Sequence, residues 1–520
     1  MPSEAPKVFV PFPHRGIRPD LPQRDVPPDS AIAMRNLIWR NGRMTVAGAV
    51  SAAGTISADQ ERIIGWANYL HTDGTYRLVA ATAKGWYKWS GGIFTAITGT
   101  ALTGSAADQN VFRVFNTGLT PYLIGCNGAN TLKKWNGSAA TYSDVGGTPP
   151  RARAMMSLFD RVVLGNLKSG GTVNASAVDW SANKDPDTGW GTSPLVCGDT
   201  PGEIVSMMEA GFLEGYIYKT DAIYSLQAQG SNATFAAPSR KLWIAGPAST
   251  LSVVPIADGV HTYLARDGSV QVWDGTSLRS ISRASHRHIA ATMDFALLDR
   301  ACGWYDSENE ELWFFYAPNG ASSNTAGVMI NPNNGDVYPI TASNDMRAGI
   351  KATVSQSISI GELTGAIGEI SRTLGELDTL VRRTFTGTEL GGLGVLATYW
   401  IDGPRSYGMS GWGFITAMRG DLDTFATVDE VEHFITLDSP YVTGITDRMG
   451  CEVLASENGE PVASVVPITT VGEVLDPVPG ARLTTGHRKT GRYFALQVTG
   501  STFKADWAGA TIPIKPRGKR

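Results

Sequence analysis

The stretch KGWYKWSGG, Lys84 to Gly92, decides the reading because its ending returns in LKKWNGS at 132–138 and VQVWDGTS at 270–277. Each is a short strand-like run that ends in Trp, then Ser, Asn or Asp, then Gly. The three tryptophans, Trp89, Trp135 and Trp273, stand 46 and 138 residues apart, and 138 is three times 46. A true period therefore predicts two degenerate copies near 181 and 227. VDWSAN supplies Trp180 and DAIYSLQ supplies Tyr224, which makes the spacings 46, 45, 44 and 49.

Each unit has a second half upstream. YRLVAATAKG (76–85), PYLIGCNG (121–128), GYIYKTD (215–221) and HTYLARDG (261–268) read as strands running into turns. Asn-Gly and Asp-Gly supply the positive φ angles that tight hairpins need. A sixth unit follows with altered spacing, ELWFFYAPNG (311–320) and then GVMINPNNGDVYPI (327–340). Several strands per unit of about 45 residues is the pattern of a β-propeller, in which four-stranded sheets cover one another in a ring. The fold class expected is mainly β, with a propeller over 55–345, six blades rather than seven, and a β-sandwich-like platform at the C-terminal end. A sandwich with accidental spacing is the competing reading. Trp89, Trp135, Trp180, Tyr224 and Trp273 are expected between blades. Ile289, Met293 and Leu297, four apart, fit a short helix between blades.

The composition agrees. The chain has 520 residues, enough for two or three domains, with 59 Gly, 14 Trp and only 18% charged residues. A net charge of −4 gives no global field for nucleic acid or anionic lipid. The four cysteines, Cys126, Cys197, Cys302 and Cys451, form no CxxC pair, so neither a disulfide scaffold nor a zinc site is expected. No apolar run approaches the ~18 residues of a membrane span, and the reading is a soluble protein made in a reducing cytoplasm.

The flanks read differently. NLIWRNGRMTVA (36–47) is a hairpin turning at Asn41-Gly42, and the Pro-rich segment before it is an extended arm that needs a partner surface to be ordered. Together 1–54 form an arm and hairpin joined to the platform. Residues 346–384 are a heptad-like connector with apolar positions at 360, 363, 367, 370, 374, 377 and 381. A coiled-coil helix and a chain of repeated turns both fit it, because Gly361, Gly368 and Gly375 each cost a helix about 1 kcal/mol. Residues 385–520 are again β-rich.

Chemistry is sparse. There is no P-loop, HExxH or GxSxG, and GMSG at 408–411 has the wrong spacing for a nucleophile elbow. His286-Arg287-His288 is an HxH without a third ligand, and Ser285 beside His286 lacks an orienting acid. NKDPDTG (183–189) and NPNNGD (331–336) offer oxygens, but Asx turns explain both. ARDGSVQVW (265–273) departs from the S-x-D-x-G-x-x-W turn of sialidases. Glu308, Glu310 and Glu311 read as a turn. No enzyme activity, metal or cofactor is expected. Lys515, Arg517, Lys519 and Arg520 form a basic end that reads as a solvated tail, or as a contact with DNA phosphates or an acidic partner.

The layout resembles the tail-hub or nozzle (packaged-DNA stabilisation) proteins of short-tailed bacteriophages. The resemblance rests on LPQRDVPPDSAIAMRNLIWRNGRMTVAG near the start, on the Gly-containing repeat at 360–380, and on the ending GRYFALQVTGSTFKADWAGATIPIKPRGKR. Val46-Ala47-Gly48 departs from the Arg-x-Gly that is usual in the family. The resemblance implies a propeller on a platform built from both chain ends, in a virion tail, with six copies in a ring. It also implies contacts with the head-to-tail adaptor, with tail fibres or spikes, and with double-stranded DNA passing through the ring. Ordering of 11–30 on a neighbouring copy would follow from such a ring. The alternative is a stand-alone propeller that binds or cleaves glycans, with an aromatic-rimmed polar pocket at one mouth.

Overall fold

The repeat builds a ring of sheets. The computed structural model describes the chain from residue 7 to residue 516, nearly continuously over 62–357 and then as strands between undescribed segments, the longest being 358–377, 402–411, 437–448 and 457–472. Six consecutive antiparallel sheets, at 65–96, 111–144, 151–196, 204–243, 253–280 and 302–341, are the blades of a β-propeller. Within each blade the strands pair in chain order, with the fourth blade carrying a fifth short strand. A further four-stranded sheet, Gly349–Ser357, Asp378–Leu390, Gly394–Ile401 and the early strand Ala49–Ile56, stands between the sixth and first blades. Asn68 of the first blade binds both backbone groups of Thr353, and Lys351 binds Asp306 of the sixth.

The five periodic aromatics all fall on the third strand of a blade. Trp135 packs with first-blade residues Tyr69, Val79 and Trp86. Tyr224 faces the third blade and Trp273 the fourth. Trp89 is half-buried against the cluster that joins the first blade to Ala348 and Ala352. Trp180 differs. It faces forward, onto the fourth blade, with its ring 5.1 Å from Phe235. The gap behind the third blade is filled instead by Trp190, which packs with Phe115 and Ile124 of the second. The core is thus divided into interfaces between blades, and burying one such ring removes enough apolar surface to be worth about 3 kcal/mol.

The turn after Trp135 explains its Gly. Gly137 has φ +83°, and its carbonyl accepts from Arg77 of the first blade while His71 Nε2 lies 3.0 Å from the carbonyl of Asn136. The Asn-Gly turn therefore both links the third and fourth strands of its own blade and touches the previous blade.

The flanks bring corrections. The arm is ordered by its own chain: Ile17 and Val26 are buried, Ile17 N–H donates to Val337 of the sixth blade, and Tyr338 Oη donates to His14 O. Apolar residues among the prolines are enough to seat it there, without a neighbouring copy. The hairpin Leu37–Arg40 with Arg43–Val46 forms as the sequence indicates, and its turn residues lie outside the described residues. The connector is not a helix at its ends, since 349–357 and 378–386 pair as antiparallel strands. Its glycine repeat, 358–377, lies outside the described residues. β-branched Ile, Thr and Val recur in the flanking strands, which favours sheet over helix.

The remaining strands form two antiparallel sheets. One orders Lys7–Pro11, Asp506–Pro513, Ala426–Thr436 and Arg482–Gly491. The other orders Ala31–Arg35, Trp412–Thr416, Tyr493–Gly500, Met449–Ser456 and Glu473–Leu475. Both contain strands from each end of the chain. Phe494, Leu496 and Val498 share a core with Met34, Leu37, Val337 and Ile340, which couples this platform to the sixth blade.

Candidate functional site

In a propeller the first strand of each blade lines the axis, so residues at the two ends of those strands control both mouths. Here the axis is crossed by side chains. Gln109, just before the second blade, donates from Nε2 to Ala301 O at 3.0 Å and accepts from Leu251 N at 3.1 Å. Ser249 donates to the same Ala301 carbonyl, and Thr250 Oγ1 donates to Val205 O at 2.8 Å. Segments leading into the second, fourth, fifth and sixth blades are thereby tied together. Further along, Arg113 of the second blade reaches Glu209 Oε1 of the fourth at 3.0 Å, and Ser157 N of the third donates to the same oxygen at 2.7 Å.

At the end where the first strands begin lies a cavity of about 80 Å³. Asp108, Gln109, Arg153, Asn166, Glu203, Arg266 and Asp299 line it, with no aromatic side chain among the lining residues. Asp108 and Arg153 approach to 3.9 Å, and Asn166 Nδ2 donates to Glu203 at 3.2 Å and Ile204 O at 2.9 Å. Asn166 sits at φ +56°, a left-handed conformation that Asn adopts more readily than most residues, and it marks a bulge between Gly165 and Leu167. Mixed charge in so small a space holds a few waters, whereas organic ligands need roughly 300 Å³ or more.

The opposite mouth is larger. A cavity of about 360 Å³ lies against Pro255, Ile256, Ala257, Asp258, Tyr305, Ser307 and Lys351. It lies at the turn between the first two strands of the fifth blade and at that of the sixth. Lys351 Nζ binds Asp306 Oδ2 at 2.8 Å and Glu308 Oε2 at 2.9 Å. Burial pushes the Asp306 carboxyl up, but hydrogen bonds from Lys351 and Asn309 outweigh it and hold its pKa below the usual value. Burial, reinforced by Glu310 and Asp306, raises Tyr305 above the ordinary phenol value, so its hydroxyl stays a donor at neutral pH.

The acidic cluster is dispersed. Glu308 serves Lys351, Glu310 accepts from Asn333, and Glu311 is buried against Arg40. His286 and His288 lie on the helix Arg283–Thr292, where two residues apart means opposite faces, so they do not converge as they would have on a strand. The helix starts at Ser282, whose side chain accepts from Ser285 N, and it buries Ile289. In 183–189, Asp185 accepts from Asp187 N and Thr188, and Asp187 pairs with Lys134; in 331–336, Asn331 accepts from Asn333 N. Both loops thus spend oxygens on their own turns. No cluster of three or more metal-ligating side chains occurs among the described residues. Lys515 is in a strand, Lys515–Pro516, paired with Ala426–Thr436, so the basic end is anchored at that point. Arg517, Lys519 and Arg520 lie outside the described residues. No helix among the described residues is long and apolar enough to cross a membrane.

Gln109, Arg113 and the Tyr305–Lys351 mouth carry no motif. The available signal was positional, since Gln109 precedes the first strand of a sheet and Arg113, Tyr305 and Lys351 each lie on one.

No family model matches the chain, and no curated protein matches it. Among solved structures, the chain is similar to the β-propeller domain of Swd1 from Myceliophteria thermophila. The likeness covers 68% of this chain and 99% of that one at 8% identity, with a TM-score of 0.39. At that distance it carries no argument about function, and the propeller is read from the sheets themselves.

Proposed function

We propose that this chain is a structural subunit of a phage tail nozzle, made in the host bacterial cytoplasm and assembled into the virion. In this reading about six copies form a ring below the head-to-tail adaptor, the ring retains and conducts double-stranded DNA, and its outside anchors fibres or spikes. The observation that carries the reading is the interlocking of the chain ends: Lys7–Pro11 pairs with Asp506–Pro513, and Ala31–Arg35 with Trp412–Thr416. A platform closed by both termini holds the propeller as a side appendage, which suits a subunit whose platform packs into a ring.

The propeller axis supports the same division of labour. Gln109 and Arg113 cross it, which leaves no passage for a duplex, so the DNA channel belongs to the ring and not to the propeller. The glycosidase alternative asks for two carboxylates free to act as acid and as nucleophile or base. At the larger mouth Asp306 and Glu308 are both committed to Lys351. Immunogold labelling of intact particles tests the proposal. Gold at the tail supports it, and well-preserved particles that never label, with denatured particles lacking the chain, overturn it.

A further inference from the structure

We infer that the larger propeller mouth is a binding site for a neutral sugar. Asp258, Tyr305 and Ser307 converge on a cavity of about 360 Å³, and among the described residues none of their side chains has an intramolecular hydrogen-bond partner. Polar groups at a pocket that are left unpaired by the fold are available to a ligand. Ile256 and Tyr305 pack against the core, so the apolar wall is held rigidly.

The chemistry of the lining selects the ligand class. An apolar ligand would strand a carboxylate and two hydroxyls. An anion meets the Asp258 carboxylate and a single ammonium, Lys351, which Asp306 and Glu308 already occupy. A pyranose presents what remains: C–H faces for Tyr305 and Ile256, and hydroxyls that donate to Asp258 and exchange hydrogen bonds with Tyr305 Oη and Ser307 Oγ. With both other carboxylates tied to Lys351, the site binds without cleaving. The inference stands independently of the tail reading, because it rests on the mouth alone.

The test uses the full chain and saturation-transfer NMR with maltotriose, cellotriose and N-acetylchitotriose, with sialyllactose as the anionic counterpart. Saturable binding of at least one neutral trisaccharide is expected, with a Kd on the order of 1 mM and sialyllactose at least about tenfold weaker. Asp258→Ala and Ser307→Ala change exposed turn residues and are expected to keep the melting temperature, while Asp258→Ala weakens binding by about tenfold or more. Tyr305→Phe keeps the ring and removes only the hydroxyl, with a smaller loss. Absence of saturable binding by every neutral probe, equal binding of sialyllactose, or unchanged affinity in Asp258→Ala overturns the inference.

Discussion

Arg40 and Glu311, 271 residues apart in sequence, meet in a two-pronged ion pair with both N–O distances at 2.7 Å. The pair is almost fully buried and fastens the N-terminal hairpin to the sixth blade. Trp313 Nε1 donates to the same carboxylate at 3.1 Å. Burial raises the Glu311 pKa, and Arg40 opposes that shift. Removing one partner leaves the other charge in low dielectric, so Arg40→Met is expected to cost about 3–5 kcal/mol in urea unfolding. Arg40→Met with Glu311→Leu should recover most of the loss. Equal losses in the single and double variants would show that the pair is not what couples hairpin to blade.

Gln109 is the second test. Gln109→Ala leaves Ala301 O with one donor fewer and Leu251 N with no acceptor, at about 1–3 kcal/mol for an orphaned buried group. Hydrogen exchange at the Leu251 amide should speed up by at least about tenfold. If that amide exchanges as in the wild type, the side chain does not tie the axis together.

His261 sets an acid limit. Its ring lies between Tyr218 Oη at 2.8 Å and Glu209 O at 3.0 Å, and burial lowers its pKa from 6.5 to about 4. A depressed pKa means that the folded state prefers the neutral ring. The contribution is complete above the unfolded pKa of 6.5 and disappears as pH falls from there to about 4. The loss is roughly 3 kcal/mol at 1.36 kcal/mol per pKa unit. Denaturant midpoints at pH 7, 5.5 and 4 check this, and His261→Gln should make the curve shallower over that interval, leaving the share of His288, whose pKa burial likewise lowers to about 4. An equally steep curve in the variant would assign the acid sensitivity elsewhere.

Two glycines separate backbone strain from contact. Gly74 has φ +79° in open space, whereas at Gly137, φ +83°, an added Cβ would stand 2.5 Å from His71 Cδ2 and 2.8 Å from Tyr69 Oη. Gly74→Ala is expected to cost about 1 kcal/mol and Gly137→Ala about 2–3 kcal/mol, by thermal melts. Similar losses at both sites would mean that the Asn-Gly turn does not wedge one blade against the next.

The blades were legible because Trp and Gly recur together: Trp135 needs an aromatic-sized gap between sheets, and Gly137 needs a positive φ. Trp180 shows the limit of that signal, since spacing finds the third strand but not the face its side chain takes. The strand Ala49–Ile56 was invisible as part of the ring-completing sheet, because its partner Gly394–Ile401 lies more than 330 residues away and no local pattern encodes such pairing. The arm was misjudged for a related reason. Proline content announces an extended chain, but Ile17 finds its cover in the sixth blade, far along the sequence. At the larger mouth, Asp258, Tyr305 and Lys351 come from three different sheets, and nothing in their own neighbourhoods marks them as a set.

Quantitative mass spectrometry of gradient-purified phage particles tests the central claim most directly, by counting copies of this chain against the head-to-tail adaptor. A fixed stoichiometry of about six copies per particle, retained after high-salt washing, is expected. Particles that lack the chain, while the lysate that produced them contains it, would rule out a place for it in the tail.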